Sequence, residues 1–258
     1  MEKTSVIKEK LQAASFDELP SFISEFESDE RKAVQNLVLS AKKKLDAYDK
    51  ELKRLEVMRI YEHKYEDQGY ICGIDEVGRG PLAGPVVAGA VILPKDCNIL
   101  YINDSKQLSE KKREELYDEI MSKAIATGIG MAAPARIDEI NILQATYEAM
   151  RQAISKLSVK PAVLLNDAVT IPDVDKSIWQ VPIIKGDAKS ASIAAASIIA
   201  KVTRDRMMVE YDEVFPEYGF ASNKGYGAQA HIDALKKIGP CPIHRRSFIG
   251  NFVDLSKL

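Results

Sequence analysis

The chain has 258 residues, of which 46% are hydrophobic and 29% are charged, a composition typical of globular proteins and not of disordered ones. No apolar run is long enough to span a bilayer and the first residues lack a signal-peptide core, so we expect a cytoplasmic protein without a membrane partner. Three widely spaced cysteines exclude a disulfide framework, whereas a net charge of −2 neither favours nor excludes a nucleic-acid ligand.

Residues 1–69 are predicted to form an N-terminal helical extension, because they contain one proline and no glycine before Gly69. A short helix is predicted over 5–14. A long one is predicted over 28–65, where apolar residues recur three and four apart, with Ser28 as N-cap. The lysines at 42–44 leave open a substrate-binding or partner-binding arm. Runs of charge are usually solvated faces, so we favour simple packing on the main domain.

Residues 70–258 alternate between short apolar runs and amphipathic stretches, which predicts an α/β catalytic domain with a C-terminal helical region. The predicted strands cover 70–75, 85–93, 124–132, 161–165 and 178–184, and the predicted helices cover 109–123, 137–157, 190–213 and 228–238. Early strands followed by strands separated by helices indicate a five-stranded mixed sheet flanked by helices.

Four acids fall where these strands end. Asp75 and Glu76 close the first strand, Asp167 closes the fourth, and Asp187 follows the fifth. Sites in α/β sheets form outside the carboxyl ends of strands where strand order reverses, so parallel first and fourth strands would bring these acids together. Each acid alone could serve a turn or cap a helix, but their joint position at strand ends favours a site.

Clustered carboxylates repel one another and need a compensating cation. Oxygen-only ligands select Mg²⁺ or Mn²⁺, and two such ions roughly 4 Å apart can stabilise an in-line phosphoryl displacement. The acids therefore predict a two-metal nuclease.

Four further patterns carry weaker signals. The segment 78–83 (GRGPLA) fits a loose dinucleotide-binding pattern, but a valine-rich strand follows it instead of a helix, so we reject that interpretation. Its glycines suit close approach to a ligand. Ser190, Ser197, Lys201 and Arg204 share one stripe of a helix, either a solvent face or a set of phosphate donors. Tyr226 is flanked by glycines and suits stacking, while Cys241 and His244 make only half of a metal site.

Together, these residues resemble the bacterial ribonuclease HII family, the type 2 ribonucleases H, over residues 70–248. The matching segments are 73–85 (GIDEVGRGPLAGP), 103–109 (NDSKQLS), 140–143 (INIL), 185–187 (KGD), 195–205 (AASIIAKVTRD), 224–226 (KGY) and 244–248 (HRRSF).

The resemblance implies a ribonuclease H-like fold and a metal-dependent endoribonuclease that produces 5′-phosphomonoesters. It implies hydrolysis of the RNA strand of RNA–DNA hybrids. It also implies incision 5′ of single ribonucleotides in duplex DNA, as in ribonucleotide excision, DNA repair and RNA primer removal. We expect a monomer. The rivals are a ribonuclease H-like enzyme that cuts DNA and an inactive hybrid-binding module.

The resemblance also assigns residues. Asp75, Glu76, Asp167 and Asp187 match the family's catalytic, metal-binding acids. Gly78, Arg79 and Gly80 match the loop whose main chain senses the ribose 2′-hydroxyl, and Tyr226 matches the tyrosine that reads the RNA–DNA junction. Lys106, Lys201 and Arg204 are assigned to phosphate contacts.

Two departures from the family pattern matter. An alanine, Ala168, stands where the third acid is usually followed by glycine. The helical extension is absent from compact family members, and the lack of a β-rich N-terminal domain favours type HII over type HIII.

Overall fold

A computed structural model describes residues 2–255 of the chain. It divides into two compact units, with the division between Val57 and Met58. Within the described residues, no helix has both the length and the hydrophobicity needed to cross a membrane.

The N-terminal unit is helical. Its helices are α1 (Thr4–Ala13), α2 (Leu19–Phe26) and α3 (Lys32–Met58). Its core is formed by Ile7, Leu11, Leu19, Phe22, Phe26, Val34, Val38 and Ala41. The sequence prediction missed α2, although Pro20 occupies its first turn, where proline is tolerated. It also began the long helix too early, because Asp29 holds the main chain and guanidinium of Arg31 in a turn.

The second unit begins with α4 at Ile60–Tyr65, since the predicted long helix is interrupted at Arg59 (φ −101°, ψ 5°). Its strands are β1 (Ile71–Val77), β2 (Val86–Ile92), β3 (Ala126–Ala132), β4 (Val163–Asp167) and β5 (Trp179–Ile183). Its other helices are α5 (Glu110–Lys123), α6 (Pro134–Ser155), α7 (Ala191–Val214), α8 (Phe220–Asn223), α9 (Gln229–Ile238) and α10 (Arg246–Ile249).

The five strands form one mixed sheet in the order β3-β2-β1-β4-β5. Strand β1 runs parallel to β4 and antiparallel to β2, and β4 runs parallel to β5. The predicted five-stranded mixed sheet is therefore confirmed, and the first and fourth strands are parallel neighbours, which is the condition for bringing the acids together. The chain order reverses beside β1, which is where an α/β sheet opens a crevice for a ligand.

Helix α7 packs against the sheet at main-chain distance because two glycines leave room for it. A Cβ on Gly73 would stand 2.0 Å from the carbonyl carbon of Ser192, and one on Gly89 would stand 2.4 Å from the carbonyl oxygen of Ala196. Small residues along α7 complete this close fit. The packing fixes the polar side chains of α7 relative to the end of β1.

The N-terminus of α7 is capped from α4. Glu62 Oε1 accepts hydrogen bonds from the Ser190 hydroxyl (2.6 Å) and the Ser192 amide (2.9 Å), and Ser190 Oγ in turn accepts from the amide of Ile193. Helix α4 thus belongs to the second unit, whereas the sequence placed the domain boundary after residue 69. Ser190 is an N-cap here, and its side chain is buried.

Candidate active site

The four predicted acids come together at one edge of the sheet. Asp75 lies in β1 with 4% of its surface exposed, Glu76 follows it, and Asp167 is the last residue of β4. Asp187 lies in the 3₁₀ turn after β5, whose neighbouring Gly186 donates its amide to Asp167 Oδ1 at 2.7 Å. These residues are hereafter called the acid cluster.

Burial and mutual repulsion disfavour ionisation in this cluster. Burial raises the pKa of Asp75 well above its ordinary value, and the charges of Glu76 and Asp167 raise it further. Burial likewise raises the pKa of Glu76, and burial with the charges of Asp104 and Asp167 raises the pKa of Asp187. A site that holds several carboxylates at such a cost is typical of a cation-binding or catalytic site.

Each acid of the cluster faces a separate donor. Glu76 pairs with Arg79 at 3.2 Å, and Asp187 lies 3.6 Å from the Lys106 ammonium. Among residues 2–255, no three acidic, histidine or cysteine side chains converge tightly enough to hold a metal ion as they are placed. The cluster is therefore an electrostatic unit whose carboxylates are turned toward different partners.

Asp104 was missed as a site residue. It lies 3.9 Å from the Lys106 ammonium, its carboxylate accepts the Lys106 amide, and its charge acts on Asp187. Partial burial lowers the pKa of Lys106, but the charges of Asp104, Asp187 and other acids of the cluster outweigh this effect. The pKa of Lys106 is therefore raised above its ordinary value. The motif 103–109 could have revealed Asp104, since its Asp-Ser-Lys segment carries both the carboxylate and the ammonium group. It was passed over because this segment does not follow a strand.

Asp75 is oriented by two serines. The Ser197 hydroxyl bonds the Asp75 carboxylate, which lowers the pKa of Asp75 against the larger effect of burial, and it also lies 2.9 Å from the Ser105 hydroxyl. Both serines are buried. Ser197 therefore fixes a carboxylate and offers nothing to a phosphate.

The segment 78–85, called the glycine loop, is held from behind by Arg245. This fully buried side chain donates hydrogen bonds to the carbonyls of Gly78, Arg79 and Gly84. Gly78 adopts φ +90°, and a Cβ there would stand 2.3 Å from the side chain of Arg204. The loop is thus fixed by its carbonyls, and sequence reasoning assigned no role to the arginine that fixes it.

Arg204 serves the same loop, and its position gives no support to the predicted phosphate contact. Its side chain is fully buried and donates to the carbonyls of Ala83, Pro85 and Lys224. Its guanidinium therefore holds the main chain of these two loops.

Lys201 is largely buried and pairs with Asp205 at 2.8 Å, and burial lowers its pKa. Of the three predicted phosphate contacts, only Lys106 has an extensively exposed side chain, at 74%.

Residues 223–227, called the tyrosine loop, adjoin the glycine loop. The Gly225 carbonyl accepts the amides of Leu82 and Ala83, and the Tyr226 ring lies 4.0 Å from the point where a Cβ on Gly80 would stand. Tyr226 is 45% exposed. The structure therefore brings the two predicted substrate-reading elements together as one platform.

Two family models match the chain. The model for ribonuclease HII covers residues 72–251, and the model for the ribonuclease HII N-terminal domain covers residues 3–66. The chain belongs to the ribonuclease HII family. The helical extension is therefore itself a ribonuclease HII feature, which the resemblance of residues 70–248 did not reveal.

Curated relatives agree with this assignment. Ribonuclease HII from Lachnoclostridium phytofermentans is 69% identical over 88% of this chain and 89% of its own length. The enzyme from Clostridioides difficile is 53% identical over 96% and 97%, and that from Bacillus subtilis is 54% identical over 94% of each.

Solved structures share the architecture. Ribonuclease H2 from Pyrococcus horikoshii matches with a TM-score of 0.57 and 30% identity, covering 69% of this chain and 93% of that one. Ribonuclease HII from Archaeoglobus fulgidus, solved in complex with PCNA, matches at 0.58 and 28%, covering 73% and 100%. A Bst ribonuclease HIII solved with Mn²⁺ shares the fold at 0.50 and 19%, covering 66% and 63%.

Family membership establishes the activity. The protein is a ribonuclease H, an endoribonuclease that acts on the RNA strand of RNA–DNA hybrids. Dependence on divalent metal ions and excision of ribonucleotides are typical of ribonuclease HII.

Proposed function

We propose that the acid cluster is the catalytic centre and holds two divalent cations, Mg²⁺ or Mn²⁺, while it cleaves the RNA strand. The observation that carries this proposal is the meeting of carboxylates from β1, β4 and the turn after β5 at one sheet edge. There, burial raises the pKa of Asp75, Glu76 and Asp187. Negative charge held at this cost favours a cationic ligand.

The donor set fits such ions. The cluster offers only carboxylate oxygens, which suit hard cations and not zinc. The present partners of Glu76 and Asp187 are partly exposed ion pairs, worth about 0–1 kcal/mol each, so a divalent ion would displace them readily. Bound cations would stabilise the charge that develops on the attacking and leaving oxygens during phosphoryl displacement.

The protein's own groups orient the acids. Ser197 holds the Asp75 carboxylate, and the Gly186 amide holds Asp167 Oδ1. Fixed carboxylates require little reorganisation during the reaction, and such preorganisation is a large part of electrostatic catalysis. Lys106, beside Asp187 and largely exposed, would contact a substrate phosphate.

The glycine loop would read the sugar. The carbonyls of Gly78 and Arg79 point at Arg245, and all peptide bonds of the described residues are trans. Because C=O and N–H lie on opposite sides of a trans peptide plane, the amides of Arg79 and Gly80 point away from Arg245. These amides can bond the 2′-hydroxyl, the group that distinguishes RNA from DNA.

Tyr226 would stack on the sugar that follows the ribonucleotide and so read the RNA–DNA junction. Its exposure and its position beside Gly80 support this role. The enzyme would then cut 5′ of a single ribonucleotide in duplex DNA, leaving 3′-hydroxyl and 5′-phosphate ends. We further propose that it acts as a cytoplasmic monomer in ribonucleotide excision and primer removal.

The test is incubation with a duplex carrying one ribonucleotide, with and without EDTA, followed by mapping of the cut. We expect a single metal-dependent cut on the 5′ side of the ribose. Cleavage of a matched all-DNA duplex would instead favour a DNA-cutting enzyme, and binding without turnover would favour an inactive module.

The variant Tyr226→Ala tests whether this residue determines the preference for a lone ribonucleotide over continuous hybrid. We expect incision at a lone ribonucleotide to fall on the order of tenfold more than cleavage of continuous hybrid, because one stacking contact is lost. An equal loss on both substrates would refute the junction-reading role.

A further inference from the structure

A buried histidine pair lies behind the tyrosine loop and plays no part in the chemistry described above. His231 of α9 and His244, from the loop before α10, place their Nε2 atoms 3.0 Å apart. His231 Nδ1 lies 2.8 Å from the Tyr226 carbonyl oxygen, and the Cys241 amide donates to His244 Nδ1 at 3.0 Å. These contacts form one chain from residue 241 to Tyr226.

The chemistry of each contact fixes where the protons lie. A carbonyl oxygen can only accept, so His231 carries its proton on Nδ1 and leaves its Nε2 as an acceptor. The Cys241 amide can only donate, so His244 Nδ1 is an acceptor and its proton sits on Nε2. The Nε2 of His244 therefore donates to the Nε2 of His231. This single arrangement satisfies all three contacts with both rings neutral.

We infer that the His231–His244 pair positions the tyrosine loop, and thereby sets where the Tyr226 ring lies relative to the glycine loop. The inference rests on the proposed role of Tyr226. The exposed ring of Tyr226 depends on its backbone for placement, and the His231 bond fixes the carbonyl of that residue. Both histidines are themselves fixed, because they are buried against the rings of Tyr218 and Phe220.

The surroundings keep both rings neutral. Burial lowers the pKa of His231 and, with the neighbouring ring, lowers that of His244 to about 4. The titratable groups around the pair are the Tyr218 hydroxyl, which donates to the Gly239 carbonyl, and the Cys241 thiol, 3.1 Å from His244 Nδ1. Glu217 is the carboxylate that acts on these two groups, adding to the effect of burial in raising their pKa.

A second proton on either ring would set N–H against N–H, or remove the acceptor of the Cys241 amide, and break the chain. The pKa of both histidines is lower in the folded protein than the ordinary 6.5. The stability that the neutral pair contributes is therefore present above pH 6.5 and is lost as the pH falls toward about 4.

Two amide variants of His231 distinguish positioning of the loop from simple filling of space. In His231→Asn, the amide nitrogen can stand near the position of Nδ1 and keep the bond to Tyr226. In His231→Gln, the amide stands near the position of Nε2, keeps the contact with His244 and loses Tyr226. Thermal unfolding checks that both variants fold, and amide hydrogen exchange of residues 222–230 reports the order of the loop directly.

We expect His231→Gln to exchange faster over residues 222–230. We also expect it to lose, on the order of tenfold, incision at a lone ribonucleotide relative to continuous hybrid, the effect of about one hydrogen bond. His231→Asn keeps the bond to Tyr226 but gives up the contact with His244, so it should lose clearly less than His231→Gln in both measurements. Equal exchange in the two variants would overturn the inference.

Tyr226→Ala, measured in parallel, distinguishes the two levels of argument. If it shifts the substrate ratio and His231→Gln does not, the positioning role fails while the junction-reading role stands. If Tyr226→Ala leaves the ratio of incision at a lone ribonucleotide to cleavage of continuous hybrid unchanged, the junction-reading role fails. The functional part of this inference then fails as well. The exchange data then still decide whether the pair orders the loop.

Discussion

Buried charged side chains form the acid cluster and also support the glycine loop, but the charges repel one another in the first and are bonded to main-chain carbonyls in the second. In the acid cluster, like charges crowd together, and the pKa of Asp75, Glu76 and Asp187 is raised. Behind the glycine loop, Arg204 and Arg245 are fully buried and together donate to the carbonyls of Gly78, Arg79, Ala83, Gly84, Pro85 and Lys224.

The difference separates a site that needs a ligand from a scaffold that needs none. Ionised carboxylates without sufficient donors destabilise the folded chain until a cation binds, and the binding then adds stability. Guanidinium groups whose donors meet carbonyl acceptors hold the backbone rigidly, and removing one leaves buried acceptors unsatisfied. The first region would therefore tolerate loss of its charges, and the second would not.

The largest expected effect is on activity in Asp75→Asn. We expect turnover of hybrid to fall roughly 10³-fold or more, since a fixed charge at the reacting centre is lost. Because folding raises the pKa of Asp75, its ionised form opposes folding near neutral pH, so the variant should melt at a higher temperature than the unsubstituted protein in EDTA. Turnover on hybrid with and without EDTA and thermal unfolding in EDTA test both parts. A lower melting temperature would contradict the electrostatic account.

Arg245→Met should act on stability in the opposite direction. Three carbonyls of the glycine loop lose their donor, and we expect the free energy of unfolding to fall by about 3 kcal/mol or more in urea titrations. Arg246→Met is the matched control, because that neighbouring side chain is exposed and should change stability by less than about 0.5 kcal/mol. Equal effects would show that the buried guanidinium is not a scaffold.

Two alanine substitutions distinguish the role of the glycine loop in recognising the sugar from its role in the stability of the fold. Gly80→Ala has room for its methyl group, whose nearest neighbour is the Tyr226 ring at 4.0 Å, so the fold should survive. Incision at a ribonucleotide should nevertheless fall on the order of tenfold, because the methyl narrows the approach to the platform. Gly78→Ala, with φ +90° and a clash with Arg204, should lower the melting temperature as well. Unchanged activity in Gly80→Ala would exclude this loop from sugar reading.

Lys106→Met should give the smallest effect, a several-fold rise in KM for hybrid through loss of one phosphate contact. The Lys106 charge lowers the pKa of Glu76 and Asp187 against the larger effect of burial. Its removal should move the acidic limb of the pH–rate profile to higher pH. Lys111→Met, on the exposed start of α5, is the control that should leave the profile unmoved. A shift to lower pH would contradict the assigned sign.

Much of the fold followed from local pattern. The apolar runs predicted all five strands, and Ser109 caps α5 as its place at the start of that predicted helix suggests, whereas the cap role of Ser190 on α7 was not predicted. Placing three of the acids together needed one more step, the parallel pairing of β1 with β4 and of β4 with β5.

What could not be predicted depends on contacts between distant segments. Arg204 shares a helical stripe with Ser197 and Lys201, and nothing in that stripe shows that its side chain turns inward to Pro85 and Lys224. Arg245 meets Gly78 across 167 positions of chain, beyond any periodicity. Asp104 caps a short 3₁₀ helix at Ser105–Gln107 and follows no strand, so reasoning from strand ends passed over it.

The cap that Glu62 places on α7 decides where the catalytic part of the chain can be shortened. A chain that starts at Met58 retains the carboxylate that accepts the Ser190 hydroxyl and the Ser192 amide. One that starts at residue 70, at the predicted domain boundary, lacks this carboxylate and leaves uncapped the helix whose Ser197 orients Asp75. We therefore expect the shortest active form of this chain to begin before Glu62, and so to be longer than its most recognisable motifs suggest.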